Sequence, residues 1–201
     1  RARELIKTGE LGKLRAVQGF FGYFNIDPNN IRNIYDIGGG GMWDIGCYPV
    51  NTTRFLFGEE PQRVVSLVDR DPKMRIDRLA SVIMDFPSGQ ASFISSTQLA
   101  KYQKMILFGT DRRAEIEIPF NAPPDQISRI FIDNDVVGTE HAKKEEIRAC
   151  NQYTIQGDEF SKAVLGKRDV PVPLEDALNN TAALLAILRS AETNSWEAPS
   201  V

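Results

Sequence analysis

Residues 78–98, RLASVIMDFPSGQASFISSTQ, decide how this chain folds. Two runs with a period of two, Arg78 to Phe86 and Gln90 to Gln98, flank the connection Pro87-Ser88-Gly89. That period places successive side chains on opposite faces of a strand, and a short glycine-containing connection turns one strand back beside the next. The stretch reads as a β-hairpin. The same period extends outward from Gln62 to about Val137. Val64, Ser66 and Val68 form one face of an upstream strand; Tyr102 to Phe108, Arg113 to Phe120 and Ser128 to Asp133, closing at Asn134, follow downstream. Five or six consecutive strands with no helix between them predict a largely antiparallel sheet.

Helical patterns bracket this block. Arg1 to Gly9 reads as a helix stopped at Thr8-Gly9, followed by a strand from Leu14 to Asn25 that carries Val17, Phe20, Phe21, Tyr23 and Phe24. A polar loop, Ile26 to Ile37, leads through Gly38–Gly41 into a helix-like run from Met42 to Phe57, closed by Gly58 and Pro61. Helices return after Asn151. Tyr153, Phe160, Ala163 and Val164 share one face, with Gly166 at a C-cap position. Pro171-Val172-Pro173 is a linker into a last helix, whose first turn holds Glu175 and Asp176. In that helix Leu174, Leu178, Thr181, Leu185 and Leu188 recur at helical spacing, which predicts a stripe buried against the sheet. The layout predicts an α+β domain: an open, mainly antiparallel sheet of about six strands with helices packed on one face. Val82, Met84, Ile83 and Leu79 put apolar residues on both faces of one strand, so the second face is expected to be covered too.

Composition narrows the partners. Lys and Arg number 24 against 27 Asp and Glu, and the basic residues are scattered, which argues against nucleic-acid binding. A small molecule or a protein is the expected partner. The longest wholly apolar stretch, Ala182 to Leu188, is far below the roughly 20 residues of a membrane span, so no membrane association is expected. Two cysteines, Cys47 and Cys150, form at most one bridge and match no metal-site spacing, as in a reduced cytoplasmic protein with no metal. The chain opens at Arg1 inside a helical pattern and reads as a piece of something longer.

The chemistry concentrates in GGGGMWDIGCY, residues 38–48. A nucleotide-phosphate loop needs a strand before its glycines and a Lys-Ser/Thr after them, and a dinucleotide turn needs Gly-x-Gly-x-x-Gly; neither is present. Asp44 and Tyr48 stand four residues apart, on one face of a helix and about 6 Å apart along its axis. A carboxylate and a phenol so placed can hold two hydroxyls, and the phenol can relay a proton. A phenol of ordinary pKa near 10 needs a nearby cation to act as a base, and no lysine in this stretch supplies one. The same spacing equally suits an Asp at a helix start and a Tyr in the core. Pro49, inside the helical run, is expected to kink it.

The whole chain resembles the C-terminal part of the glucose–fructose oxidoreductase, inositol dehydrogenase and rhizopine catabolism (Gfo/Idh/MocA) family. The resemblance rests on Leu5 through Leu14, on Gly39 through Pro49, on Phe55 through Pro61, on Gln156 through Phe160, on Val172 through Ala177, and on Ser190 through Thr193 before Trp196. It implies that residues 1–201 are a substrate-binding and dimerisation domain, glyceraldehyde-3-phosphate dehydrogenase-like in fold, that packs against an N-terminal Rossmann domain outside this chain. It also implies NAD or NADP as cofactor, bound mainly by that other domain, and a sugar, polyol or cyclic diol as substrate. Tyr48 would be the catalytic acid/base and Asp44 would orient the reacting hydroxyl. The missing cation would be a lysine of a Glu-Lys-Pro motif, which this sequence lacks, so the fragment alone is expected to be inactive. A homodimer through the open sheet face is expected.

Asn25, the loop residues Arg32, Asn33 and Tyr35, and Tyr153 are candidates to reach substrate hydroxyls. Trp43 is expected in the core, Cys47 as a small buried filler, and His141 on an exposed loop or strand end. The competing function is a non-catalytic ligand-sensing or dimerisation module of the same fold.

Overall fold

The computed structural model describes residues 1–133 and 142–200, so Asn134 and His141 lie outside the described residues. In chain order the elements are α1 (Ala2–Lys7), β1 (Leu14–Phe24), two 3-10 turns (Ile31–Asn33 and Tyr35–Ile37), and a π turn (Met42–Gly46) running into α2 (Cys47–Phe57). Next come β2 (Arg63–Arg70), β3 (Asp77–Phe86), β4 (Gly89–Ser96), β5 (Gln98–Gly109), β6 (Arg113–Ile116), β7 (Ser128–Asp133) and β8 (Lys143–Ile147). The helices α3 (Gln152–Val164) and α4 (Leu174–Thr193) follow.

The expected hairpin is present: β3 and β4 pair antiparallel from Leu79↔Ser96 to Phe86↔Gly89. The sheet holds eight strands in the order β2-β3-β4-β1-β5-β6-β7-β8, which corrects the expectation of about six. It is mixed, because β1 runs parallel to β4 while the other neighbours pair antiparallel. The chain leaves β1, crosses through α2 and the β2–β3 pair, and returns beside β1 as β4, a placement that counting strands does not reveal. The unforeseen strand is β8. Its Lys-Lys-Glu-Glu-Ile sequence has no apolar alternation, since it lies at the sheet edge and pairs through charge, with Arg129 opposite Glu146. In the other direction, β6 ends at Ile116, short of the expected Phe120.

One face of the sheet makes the core. Val17 and Phe21 of β1, Val82 and Met84 of β3, and Phe93 of β4 are buried beneath Val50 and Leu56 of α2 and Ala183 and Ile187 of α4. Arg54 of α2 is buried and ties these two helices together, bonding both carboxylate oxygens of Glu60 (2.6 and 2.7 Å) and Asp176 of α4 (2.9 Å). The opposite face stays open, with Leu67 75% and Ile83 45% exposed.

The C-terminal helices depart from the sequence pattern. In α4 most of the expected stripe faces outward: Leu174, Leu178, Thr181 and Leu185 are exposed and Leu188 is partly buried against the core, while Ala183, Leu184, Ile187 and Ser190 are buried. Small side chains let the helix approach β2 closely enough for Ser66 Oγ to donate to the Ile187 carbonyl (2.6 Å) and for Ser190 Oγ to accept from the Ser66 amide (3.0 Å). Helix α3 ends as expected, with Gly166 at φ 68° just beyond it, but none of its residues is buried.

Candidate active site

The expected single helix from Met42 begins instead as a π turn. Its wider, i→i+5 winding is a recurrent feature of functional segments. Asp44 projects from this turn and Tyr48 from the first turn of α2, and both line one cleft of about 380 Å³. Pro49 is buried in the same first turn of α2. Asn25 at the end of β1, Arg32 in the first 3-10 turn and Tyr153 at the start of α3 line that cleft as well. The five sequence candidates, scattered over almost 130 positions, therefore converge. Asn33 and Tyr35 do not join them. Asn33 is buried and clamps its own loop through the Asn25 and Asp27 carbonyls, while the Tyr35 ring lies under the Arg75 guanidinium at 4.7 Å.

Tyr48 is held by its ring. Phe21 meets it edge-on at 5.5 Å, and Phe120, itself stacked on Phe21 at 4.9 Å, tilts against it at 5.6 Å. Among the described residues its hydroxyl has no hydrogen-bond partner, and the side chain is partly exposed to the cleft. Burial pushes the Tyr48 phenol above its ordinary value; Cys47, Tyr153 and Asp44 add to the rise and Arg32 opposes it. A phenol raised from its ordinary value near 10 keeps its proton at physiological pH.

Asp44 is bound at both oxygens. Arg32 Nε donates to Oδ1 at 2.7 Å and the Tyr23 hydroxyl donates to Oδ2 at 2.5 Å. The bond to Asp44 raises the Arg32 pKa, while burial first and this bond second push Tyr23 well above the usual phenol range. Tyr23 was missed in the sequence because its strand is rich in aromatics and reads as core. A usable signal was there: Val17, Phe21 and Tyr23 lie at even spacing, so Tyr23 falls on the face turned toward α2. The Asn25 side-chain oxygen accepts from the Asp27 amide and from Asn33, which leaves its NH₂ group for the cleft. Trp43 is 38% exposed rather than in the core, and Cys47 is half-buried with its Sγ 3.6 Å from the Asp44 carbonyl. Trp43 sits on the π turn and Cys47 directly follows it as the first residue of α2, and the wider winding of the turn rotates side chains away from the positions that an α-helical spacing assigns. Both cysteines are free.

A larger depression, about 620 Å³, lies on the open sheet face among Phe20, Leu67, Ile83, Tyr102 and Ile106. Its lining is mostly aliphatic and aromatic, with Tyr102 and Lys104 as its titratable groups, so the smaller cleft, which gathers Asp44, Arg32 and three tyrosines, is the better site for chemistry. Among the described residues no cluster of His, Cys, Asp and Glu has the makings of a metal site. The glycine run does not form a pyrophosphate cradle. A side-chain atom on Gly39 would meet the Arg32 and Ile34 carbonyls at 2.7 Å, and one on Gly40 would meet Asp77 Oδ1 at 2.1 Å. The space beside these glycines is filled by the chain itself.

The chain belongs to the GFO/IDH/MocA family: the GFO/IDH/MocA C-terminal domain matches residues 1–117. The chain is 39% identical over 196 residues to an uncharacterized oxidoreductase, ORF334, of Rhizobium meliloti, covering 96% of this chain and 59% of that protein. It is 27% identical over 195 residues to D-xylose 1-dehydrogenase (NADP(+)) 2 of Haloferax volcanii, covering 96% and 58%. Its fold matches the crystal structure of aldose-aldose oxidoreductase from Caulobacter crescentus complexed with glycerol. The TM-score is 0.83 at 23% identity, over 98% of this chain and 59% of the other. The chain thus spans less than two thirds of the length of these relatives. No helix among the described residues is long and apolar enough to cross a membrane.

Proposed function

We propose that this chain is the substrate-side domain of an NAD(P)-dependent oxidoreductase acting on a hydroxyl-bearing carbon of a sugar, polyol or cyclic diol, with Tyr48 relaying the proton. The observation that carries the proposal is the convergence of Tyr48, Asp44, Arg32, Asn25 and Tyr153 in one cleft. The oxidoreductase names of the similar proteins, and NADP in one of them, agree with it.

In the direction of reduction the phenol of Tyr48 donates its proton to the carbonyl oxygen of the substrate, which becomes the product hydroxyl. In the direction of oxidation the substrate hydroxyl returns that proton to a Tyr48 phenolate. A nicotinamide held by a second domain outside this chain would supply or take up the hydride at the carbon that bears that oxygen. Asp44 is the hub of the cleft, holding Tyr23 and Arg32 in place. The terminal nitrogens of Arg32 and the NH₂ group of Asn25 are donors for substrate oxygens. Because burial raises the Tyr48 pKa, oxidation needs a cation beside the phenol beyond what Arg32 supplies, and the second domain is the proposed source.

The open sheet face, with Leu67, Ile83 and Tyr102 exposed, supports a homodimer through that surface. Sedimentation of an Ile83→Lys, Leu67→Lys protein at monomer mass, against a dimeric wild type, is the expected result.

The deciding experiment is a dehydrogenase assay of the full-length protein on aldoses, polyols and cyclic diols with NAD and NADP, beside Tyr48→Phe. Turnover that collapses in the folded phenylalanine variant establishes the proton relay. A wild type that binds sugar or cofactor without turnover assigns the domain to ligand sensing or assembly instead.

A further inference from the structure

Asp77 opens β3 on the core side of the sheet and lies outside the cleft, yet it is only 4% exposed. Its Oδ2 accepts the Met42 amide at 2.5 Å. Met42 is the first residue of the π turn, so its amide belongs to the set that a helical segment leaves without an internal partner. A carboxylate reaching in from another element satisfies it as an N-cap would. An apolar side chain would fill the same space and leave that amide buried and unbonded.

The contact is close over several residues. Gly40 has φ 139°, a conformation that side chains avoid, and an added Cβ there would lie 2.1 Å from Asp77 Oδ1. An added Cβ on Gly41 would lie 3.0 Å from the Asp77 carbonyl oxygen. Gly40 in turn accepts the Asp44 amide at 3.1 Å. A short path of hydrogen bonds and backbone contacts therefore runs from β3, a strand paired on both sides, to the residue that organises the cleft.

We propose that Asp77 is a positioning residue: its buried carboxylate, bonded to the start of the π turn and packed against Gly40, fixes where Asp44 and Tyr48 stand in the cleft. Asp77 does not touch substrate; it acts through the turn. For catalysis this rests on the function proposed above, but the structural half stands apart from it.

The test compares Asp77→Ala and Asp77→Asn in the full-length protein by steady-state kinetics and by hydrogen–deuterium exchange of the peptide covering residues 40–48, with Tyr48→Phe in parallel. Asp77→Ala is expected to lower kcat about tenfold or more, with the cofactor KM within about twofold, and to speed exchange in this peptide without speeding it elsewhere in the sheet. Asp77→Asn keeps an oxygen for the Met42 amide and is expected to restore kcat to within about threefold and exchange to near wild type. If the alanine variant does not fold, Asp77→Ser, too short to reach that amide, takes its place. Unchanged kcat in the alanine or serine variant overturns the proposal. So does accelerated exchange across the whole sheet with no rescue by asparagine, which would mean that Asp77 only holds the domain together. If Tyr48→Phe keeps full turnover, the catalytic proposal falls by itself, and exchange in residues 40–48 alone then decides whether Asp77 positions the turn.

Discussion

The Tyr23 hydroxyl donates to Asp44 Oδ2 across 2.5 Å, joining the end of β1 to the π turn ahead of α2. With Arg32 Nε at 2.7 Å on the other oxygen, the carboxylate is held from two sides. Its orientation relative to Tyr48 is therefore set before a substrate arrives, which is the geometric condition for efficient proton relay.

Tyr23→Phe keeps the ring and removes this one donor. The kcat/KM of the full-length protein is expected to fall about 10- to 100-fold, corresponding to about 1.5–3 kcal/mol for a hydrogen bond to a charged group. Steady-state kinetics beside a thermal melt checks this. An unchanged kcat/KM in a folded variant would mean that Arg32 alone holds the carboxylate.

Burial raises both Tyr48 and Tyr23, and the bond to Asp44 raises Tyr23 further. Such a phenol keeps its proton in the folded state at a pH where the unfolded chain has released it. Above about pH 10 the folded state then binds more protons, so stability falls as pH rises. Urea midpoints measured from about pH 9 to 11 are expected to decline, and Tyr48→Phe and Tyr23→Phe each to flatten the decline.

Asp77 shifts in the same sense at the acid end. Burial lifts its carboxyl from 3.8 to about 6, against the opposing pull of the Met42 amide. Between about pH 4 and 6 the folded state binds the extra proton, so this group lowers stability progressively as pH rises through that window. Asp77→Asn lacks the slope and is expected to be more stable than wild type at pH 7, by up to about 3 kcal/mol. Denaturant unfolding at each end of the window checks this; a wild type with no decline would mean that the amide bonds outweigh burial.

The two rows of α4 separate cleanly by mutation. Ile187 is fully buried and Leu178 is 50% exposed. Ile187→Ala is expected to destabilise the isolated chain by about 2–4 kcal/mol and Leu178→Ala by less than about 1 kcal/mol. Equal effects in urea unfolding would restore the leucine stripe as the packed face.

The parts of the fold legible in the sequence are those where local pattern and burial agree. The alternation through Arg78–Phe86 and the Pro87-Ser88-Gly89 connection announce the hairpin because one face of β3 is core and the turn chemistry is local. Two failures have one cause. Strand β8 is charged and gains its place from the partner strand β7, and α4 buries a row of Ala182, Ala183, Leu184, Ala186, Ile187 and Ser190, which contact with β2 selects and its leucine spacing does not. In both, the deciding term lies on another element. At the site, the spacing of Asp44 and Tyr48 left a site reading and a core reading open, and the fold brings both side chains to one cleft, whereas Tyr23 and Asp77 stood among residues that read as ordinary strand.

The sequence by itself determined the α+β class, the hairpin, and the segment from Gly38 to Tyr48 that carries the acid and the phenol, because periodicity, turn residues and motif are properties of neighbours along the chain. Only the tertiary structure decided the parallel pairing of β1 with β4, the face that α4 presents, and the groups that hold Asp44 and Met42. These depend on contacts between residues separated by about 12 positions or more, whose energies come from burial and hydrogen bonding across elements that the chain itself leaves free to meet in many ways.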